Sequence, residues 1–223
     1  MQIINCRSIL LFCLAFNLWM AGAQDPDGFE KDVEELSVKY DSLWDRSRET
    51  IVFTGSSSIR LWSTLQEVFP GQQIINTGFG GSQTSDLLDY LDKLVLRYQP
   101  TKVFIYEGDN DLHDKKSPRE VLRLTEEVVE RIKIAGTTSS VVLISTKPSI
   151  QRWHLKRKYK KLNRKLARLC QGDPFLEFAD IWDPMLDKKK LRKDLFIDDG
   201  LHMNEAGYEI WSRVIKKYIN QAP

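Results

Sequence analysis

The chain has 223 residues, 33 Lys and Arg against 31 Asp and Glu, and a formal net charge of +2 at pH 7. That length supports one sizeable core rather than two domains, and an apolar fraction of 42% excludes a disordered chain. The balanced charge gives no reason to expect nucleic-acid binding.

The first residues, MQIINCRSILLFCLAFNLWMAGAQDPDG, place Arg7 before an apolar run at 9–20 and the small residues Ala21, Gly22 and Ala23. This is the layout of a secretory signal peptide, and the apolar run is too short for a comfortable membrane span. An uncleaved N-terminal anchor is the alternative. Residues 1–23 are expected to be the signal peptide and 24–223 a single domain, secreted or periplasmic, with no stable membrane span after cleavage. Cys170 is then the one cysteine left, so the core alone holds the domain. Its place late in a basic helix makes it a packing residue rather than a nucleophile.

Residues 25–47 carry Phe29, Val33, Leu36, Tyr40 and Leu43 at helical spacing. Five short β-branched runs follow: TIVFTG (50–55), QIINTG (73–78), KVFIYEG (102–108), SVVLIST (140–146) and FLEFAD (175–180). Most are continuously apolar, the pattern of strands covered on both faces of a parallel sheet. Helical patterns fill the gaps: SIRLWSTLQEVF, SDLLDYLDKLVLRY, SPREVLRLTEEVVERIKIAG, a lysine-rich stretch near 155–170, and NEAGYEIWSRVIKKYIN. Ser117 is the expected N-cap of the third, with Pro118 at its first position and Gly136 as its stop; Asn204 is the expected N-cap of the last. Alternating strands and helices predict right-handed βαβ units in a three-layer α/β/α sandwich, with ligands bound beyond the carboxyl ends of the strands.

Four short polar or glycine-rich segments fall at that edge: GSSS (55–58), NTGFGGSQTSD (76–86), GDND (108–111) and DDGLH (198–202). Serine-based acyl transfer needs a hydroxyl, a histidine base, a carboxylate behind the histidine, and preorganised donors for the oxyanion. His202 is one of three histidines, and Asp199 precedes it by one tight turn; Asp198 is the less suitable partner. Gly81 and its neighbours offer backbone N–H groups, and Asn110 offers an amide. Each segment alone reads as a cap, a loop or a turn; four of them at successive strand ends read as one site. GDND also hints at a calcium loop, but His113 stands where an oxygen ligand should be and no glycine follows it. His113 and His154 make no ligand pair with Cys170, so neither zinc nor any other metal is expected.

Together these segments resemble the blocks of the SGNH, or GDSL-like, hydrolases, over about residues 50–215. The resemblance implies a flavodoxin-like sandwich around a five-stranded parallel sheet. It maps the nucleophile to Ser57, the remaining triad members to Asp199 and His202, and the oxyanion hole to Ser57, Gly81 and Asn110. One departure is Ser56, which stands where the family has aspartate; Ser56 and Ser58 are then expected to be turn and cap hydroxyls. The implied activity is a carboxylic ester hydrolase working through an acyl-enzyme without a cofactor. Within the family the chain resembles the acetylhydrolase-like branch, including the platelet-activating factor acetylhydrolase type.

Substrate is less legible. Arg152 and Trp153 follow the fourth strand and could contact a sugar or other polar group, while Trp153 packing against the sheet is the equal alternative. The basic helix reads as amphipathic with a solvated face; a surface for anionic polysaccharide or lipid headgroups, extended by DKKKLRKD (187–194), is the sharper reading. No long apolar insertion is present, which favours acetyl and other short acyl groups on small-molecule or glycan esters. A lysophospholipase or thioesterase for longer chains, an acyltransferase, and a non-catalytic carbohydrate-binding module are the alternatives. Oligomeric state is not readable from the sequence.

Overall fold

The computed structural model describes residues 28–138 and 140–219, so the expected signal segment at 1–23 lies outside the described residues. The five apolar runs are five strands: β1 (Thr50–Gly55), β2 (Gln73–Gly78), β3 (Lys102–Tyr106), β4 (Ser140–Ile144) and β5 (Leu176–Ala179). They form one parallel sheet in the order β2-β1-β3-β4-β5. Every residue of β1, β3 and β4 is buried, which is why these runs show no polar alternation.

Parity along each strand divides the core in two. Val52, Val103, Ile105, Val141 and Leu143 join a cluster with α1 (Glu30–Asp41), α4 (Thr84–Asp89), α5 (Leu91–Leu94), α7 (Pro118–Ala135) and α8 (Lys156–Gln171). Ile51, Phe53, Phe104, Tyr106, Val142 and Ile144 join the opposite cluster with α2 (Ser57–Arg60), α3 (Leu65–Val68) and α9 (Glu205–Ile219). Consecutive side chains of a strand point to opposite faces, so a continuously apolar strand glues both helical layers at once. The result is the expected three-layer α/β/α sandwich.

Several helices differ from the sequence reading. Among the described residues, the first spans Glu30–Asp41 and stops short of residue 47. The pattern after β1 is not one helix but two single turns, α2 and α3. Between them Trp62 turns inward against Phe53, Phe69, Tyr208 and Trp211, and burying that indole overrides helical continuity. The pattern after β2 breaks into α4, α5 and a 3-10 turn at Leu96–Tyr98. GDND is also more than a turn, because Gly108 at φ +99° opens the short helix α6 (Asp109–His113).

The expected caps are present. Ser117 Oγ accepts from the Glu120 N–H at 3.2 Å, and Gly136 ends α7 at φ +72°. Asn204 Oδ1 accepts from the Gly207 N–H at 3.2 Å at the start of α9. Helix α8 buries Tyr159, Leu162, Asn163 and Leu166 and turns most of its lysines and arginines to solvent, as an amphipathic helix with a solvated basic face does. The 187–194 run contains a small hairpin, β6 (Leu186–Asp187) with β7 (Lys190–Leu191), which the sequence reading did not foresee. Cys170 is half-buried, its Sγ lies 3.4 Å from the Glu177 carbonyl oxygen, and burial pushes its thiol up to about 12, which suits a packing role.

At the end of β1 the chain passes closest to β3. Gly55 has φ +124°, and a Cβ there would lie 2.0 Å from the Tyr106 carbonyl oxygen. No side chain fits that position, and the clash is with backbone rather than with a flexible side-chain tip. Gly55→Ala is therefore expected to lower the melting temperature sharply or abolish soluble folded protein. A variant as stable as the parent in thermal unfolding followed by circular dichroism would contradict this account of the β1–β3 junction.

Candidate active site

The sheet order reverses direction between β1 and β3, and open α/β sheets hold ligands at such a switch point. Ser57 opens α2 just past β1, and Asn110 lies in α6 just past β3. Two long-range bonds fix the serine turn. Asn76 Nδ2 donates to the Ile59 carbonyl at 2.8 Å, and the Tyr208 hydroxyl donates to the Ser58 carbonyl at 3.0 Å. Ser56 and Ser58 are buried while Ser57 is half-buried. Ser56 stands at the N-cap of α2, but its side chain makes no capping bond, so the expected cap hydroxyl is not seen there.

Ser57 Oγ lies 3.0 Å from His202 Nε2, and His202 Nδ1 lies 2.5 Å from Asp199 Oδ2. A carboxylate can only accept, so the neutral ring carries its proton on Nδ1 and leaves Nε2 free to take one from Ser57. The other oxygen of Asp199 accepts from the backbone N–H groups of Leu201 (2.8 Å) and His202 (2.9 Å). Burial pushes the Asp199 carboxyl up, but these two N–H groups and His202 outweigh it and hold it below the ordinary range. Gly200, at φ +65°, closes the turn, and its carbonyl accepts from the N–H groups of Ile150 (2.9 Å) and Gln151 (3.0 Å). Asp198 is exposed and has no side-chain hydrogen bond or ion pair among the described residues.

Across from Ser57, Gly81 has φ +87° and opens onto free space, with nothing within 4 Å of a built Cβ. Among the described residues no acceptor occupies the N–H of Ser57 or of Gly81. Asn110 donates from Nδ2 to the Ser82 carbonyl at 2.8 Å, which leaves its second amide proton unused. Ser57, Gly81, Asn110, Asp199 and His202 thus lie at one edge of the sheet, with the serine–histidine–aspartate chain in hydrogen-bond contact. A cavity of about 640 Å³ between α1, β2 and α3 is lined by Tyr40, Arg60, Trp62 and Gln73 and by none of these five residues.

Arg152 and Trp153 stand differently from the sequence expectation of a sugar contact. Arg152 is 7% exposed, and its Nη1 donates to Asp109 Oδ1 at 2.7 Å and to Asn110 Oδ1 at 3.0 Å. Trp153 is half-buried, stacked on Trp182 with ring centroids 6.1 Å apart, and covered by the Lys156 ammonium at 4.8 Å. Trp153 is thus a packed side chain, although the tryptophan it meets follows β5 rather than lying in the sheet. No group of three or more His, Cys, Asp or Glu side chains suited to a metal occurs among the described residues.

Two buried acids escaped the sequence reading. Asp109, read only as part of a turn, is an ion-pair centre between Lys147 and Arg152. Lys147 is itself 1% exposed. A lysine three residues past the buried strand β4 was the available signal, since a buried lysine must have a partner. Glu107 is 6% exposed, and its Oε1 lies 2.7 Å from Ser82 Oγ. The same hydroxyl lies 3.0 Å from the Phe79 carbonyl oxygen. One hydroxyl proton cannot serve both oxygens, and the carbonyl can only accept. Both contacts are satisfied when a neutral Glu107 donates to Ser82 and Ser82 donates to Phe79. Burial, then the nearby Asp111, Asp86 and Asp109 charges, push the Glu107 carboxyl well above the ordinary range, in agreement.

An acid held neutral in the folded protein but ionised when unfolded makes folding take up a proton, so its cost to stability grows as pH rises above the ordinary glutamate range. Glu107→Gln, neutral at every pH, is expected to melt higher than the parent at neutral and mildly alkaline pH. The gap should close as pH falls toward 4. Melting curves across that range that show the variant less stable by a constant amount would contradict a neutral Glu107.

A model of the GDSL-like Lipase/Acylhydrolase family matches residues 41–210. Among solved structures, one from Streptococcus pneumoniae described as a platelet activating factor is similar at 27% identity and a TM-score of 0.72; the match covers 85% of this chain and 93% of that one. An acylhydrolase structure from Bacteroides fragilis is similar at 23% identity and a TM-score of 0.73, covering 84% of this chain and 95% of that one. An acetylxylan esterase from Geobacillus stearothermophilus is similar at 18% identity and a TM-score of 0.65, covering 78% of this chain and 95% of that one. No match is found among curated proteins.

Proposed function

This chain belongs to the GDSL-like lipase/acylhydrolase family, and we propose that it is a serine esterase hydrolysing short-chain, foremost acetyl, carboxylic esters. The observation that carries this reading is the unbroken line from Asp199 Oδ2 through His202 to Ser57 Oγ, at 2.5 and 3.0 Å. In the proposed reaction, His202 Nε2 takes the proton of Ser57 as Oγ attacks the ester carbonyl. The charge that builds on the imidazole is stabilised by Asp199. The oxyanion is received by the N–H groups of Ser57 and Gly81 and by the free amide proton of Asn110. His202 returns the proton to the departing alcohol, then activates the water that frees the acid from the acyl-enzyme. No step calls on a metal or an organic cofactor.

Short acyl groups are favoured because the segments around Ser57 are one-turn helices and glycine loops, with no long apolar insertion between them. The acetylxylan esterase among the structural neighbours supports the fold alone and makes acetylated glycans a natural first substrate class to try. The expected signal peptide would direct the enzyme to esters outside the cytoplasm.

Hydrolysis of p-nitrophenyl acetate, butyrate and octanoate by residues 24–223 tests this directly. Acetate is expected to be the best of the three, with turnover abolished in Ser57→Ala. Asp199→Asn should lower kcat by on the order of 10²–10⁴ through loss of the imidazole tautomer, while Asp198→Asn leaves it unchanged. Preference for octanoate would replace acetyl esters by longer acyl chains. Full activity in Ser57→Ala would remove the proposed nucleophile.

A further inference from the structure

The carboxylate of Asp109 lies directly behind the proposed oxyanion hole and is 4% exposed. Its Oδ1 accepts from Arg152 Nη1 at 2.7 Å and from the Tyr159 hydroxyl at 2.5 Å. Its Oδ2 accepts from the Tyr106 hydroxyl at 3.0 Å and lies 3.4 Å from Lys147 Nζ. A carboxylate this deep is costly unless paired and hydrogen-bonded, and here four donors meet it. Burial raises its pKa, but the Lys147 and Arg152 charges and the Tyr159 and Arg152 bonds outweigh that and leave the group strongly acidic.

Each cation then reaches past Asp109 to a different part of the site. Arg152 Nη1 also donates to Asn110 Oδ1 at 3.0 Å. Lys147 Nζ also donates to the carbonyl of Leu201 at 2.8 Å, and Leu201 immediately precedes His202. Arg152 can only donate and the Ser82 carbonyl, bonded to Asn110 Nδ2, can only accept. A flipped Asn110 would set its NH₂ against the guanidinium and its oxygen against a carbonyl. The amide is therefore locked with Nδ2 toward Ser82 and its second proton free.

We propose that Asp109, Arg152 and Lys147 are a positioning unit: Arg152 fixes the donor face of the Asn110 amide, Lys147 fixes the backbone of the His202 loop, and Asp109 holds both. The proposal rests on the esterase reading of Ser57, Asn110 and His202. It gives Arg152 a role inside the protein in place of the substrate contact expected from the sequence.

A double-variant cycle on p-nitrophenyl acetate tests it, with the melting temperature of every variant measured alongside. Asn110→Ala is expected to lower kcat by about 10²–10³. Arg152→Ala should lower kcat by about 10- to 100-fold with KM little changed, since a misplaced donor hurts the transition state more than substrate binding. Because Arg152 acts through Asn110, the double variant should be no slower than Asn110→Ala alone. Lys147→Met acts through the other loop, so its loss should add to that of Asn110→Ala. If Arg152→Ala does not fold, Arg152→Lys serves: it keeps the charge, but its side chain is shorter and lacks the planar guanidinium fork, so its hold on Asn110 is weakened and kcat should fall at constant KM.

Losses of Arg152→Ala and Asn110→Ala that multiply would overturn the proposal, as would an Arg152 effect confined to KM. Those outcomes leave the esterase reading intact provided the parent is active and Ser57→Ala is not. A parent inactive on every ester would overturn both.

Discussion

The contact between the end of β1 and the end of β3 governs the rest of the site. Gly55 can lie against the Tyr106 carbonyl only because it has no side chain. The approach continues one residue further, where the Ser56 N–H donates to the same Tyr106 carbonyl at 3.1 Å. That last ladder bond sets where β1 stops pairing and α2 starts. Ser57 is thereby launched beside the segment after β3 that carries Asn110. From the other side, Phe79 N–H donates to the Gly55 carbonyl at 2.8 Å and draws in the glycine loop after β2. Three adjacent strand ends are thus registered by backbone bonds alone, without any side chain of the candidate site. Rigid elements hold reacting groups more closely than free loops do.

Strand assignment was legible because burial on both faces writes itself into sequence as unbroken apolar runs, as in β1, β3 and β4; FLEFAD is also a strand although it has no β-branched residue and its middle residues are only half-buried. Helix continuity was less legible. SIRLWSTLQEVF has a helical pattern, but Trp62 gains more by entering the Phe53, Phe69 and Trp211 cluster than the chain gains by keeping its turn. A periodicity argument sees the apolar residue and not the direction in which the sheet requires it. Caps fared better, since Ser117, Gly136 and Asn204 act through bonds within a few residues. The DGLH segment was legible for the same reason, because Asp199 and His202 meet within one turn. The contact of His202 with Ser57 spans 145 residues and could be expected only from the joint pattern of four segments.

What stayed hidden is the layer behind the site. Asp109, Lys147 with Arg152, and Tyr159 come from three separate segments, and nothing local in GDND or STKPSI says that they converge. Arg152 is the instructive case. Its place after β4 at the active edge made it look like a group facing outward to substrate. Placement at the edge is right, but orientation depends on where a buried counter-charge lies, and a carboxylate 2.7 Å away decides it. Lys147 and Arg152 lie five residues apart on one connection and share one partner, so the segment after β4 folds inward around Asp109.

Two acids lie two residues apart at the end of β3 and are held in opposite protonation states. Burial and the Asp111, Asp86 and Asp109 charges push the Glu107 carboxyl well above the ordinary range, which favours its neutral form beside Ser82. Asp109 faces two cations and two phenols, and is ionised. Were both ionised, their repulsion in a poorly screened interior would oppose the turn that carries Asn110. Were both neutral, Lys147 and Arg152 would be buried with no countercharge, at greater cost. A neutral Glu107 beside an ionised Asp109 avoids both penalties and uses each acid for a different hold on the site. Neutral Glu107 donates to Ser82 and so steadies the loop that carries Gly81, while ionised Asp109 gathers the cations that reach Asn110 and the His202 loop. Ser82 joins the two, since its hydroxyl meets Glu107 and its carbonyl meets Asn110. The donors assigned to the oxyanion are therefore held by opposite charge states of neighbouring carboxyl groups, and a change at either acid should be felt at the other through Ser82.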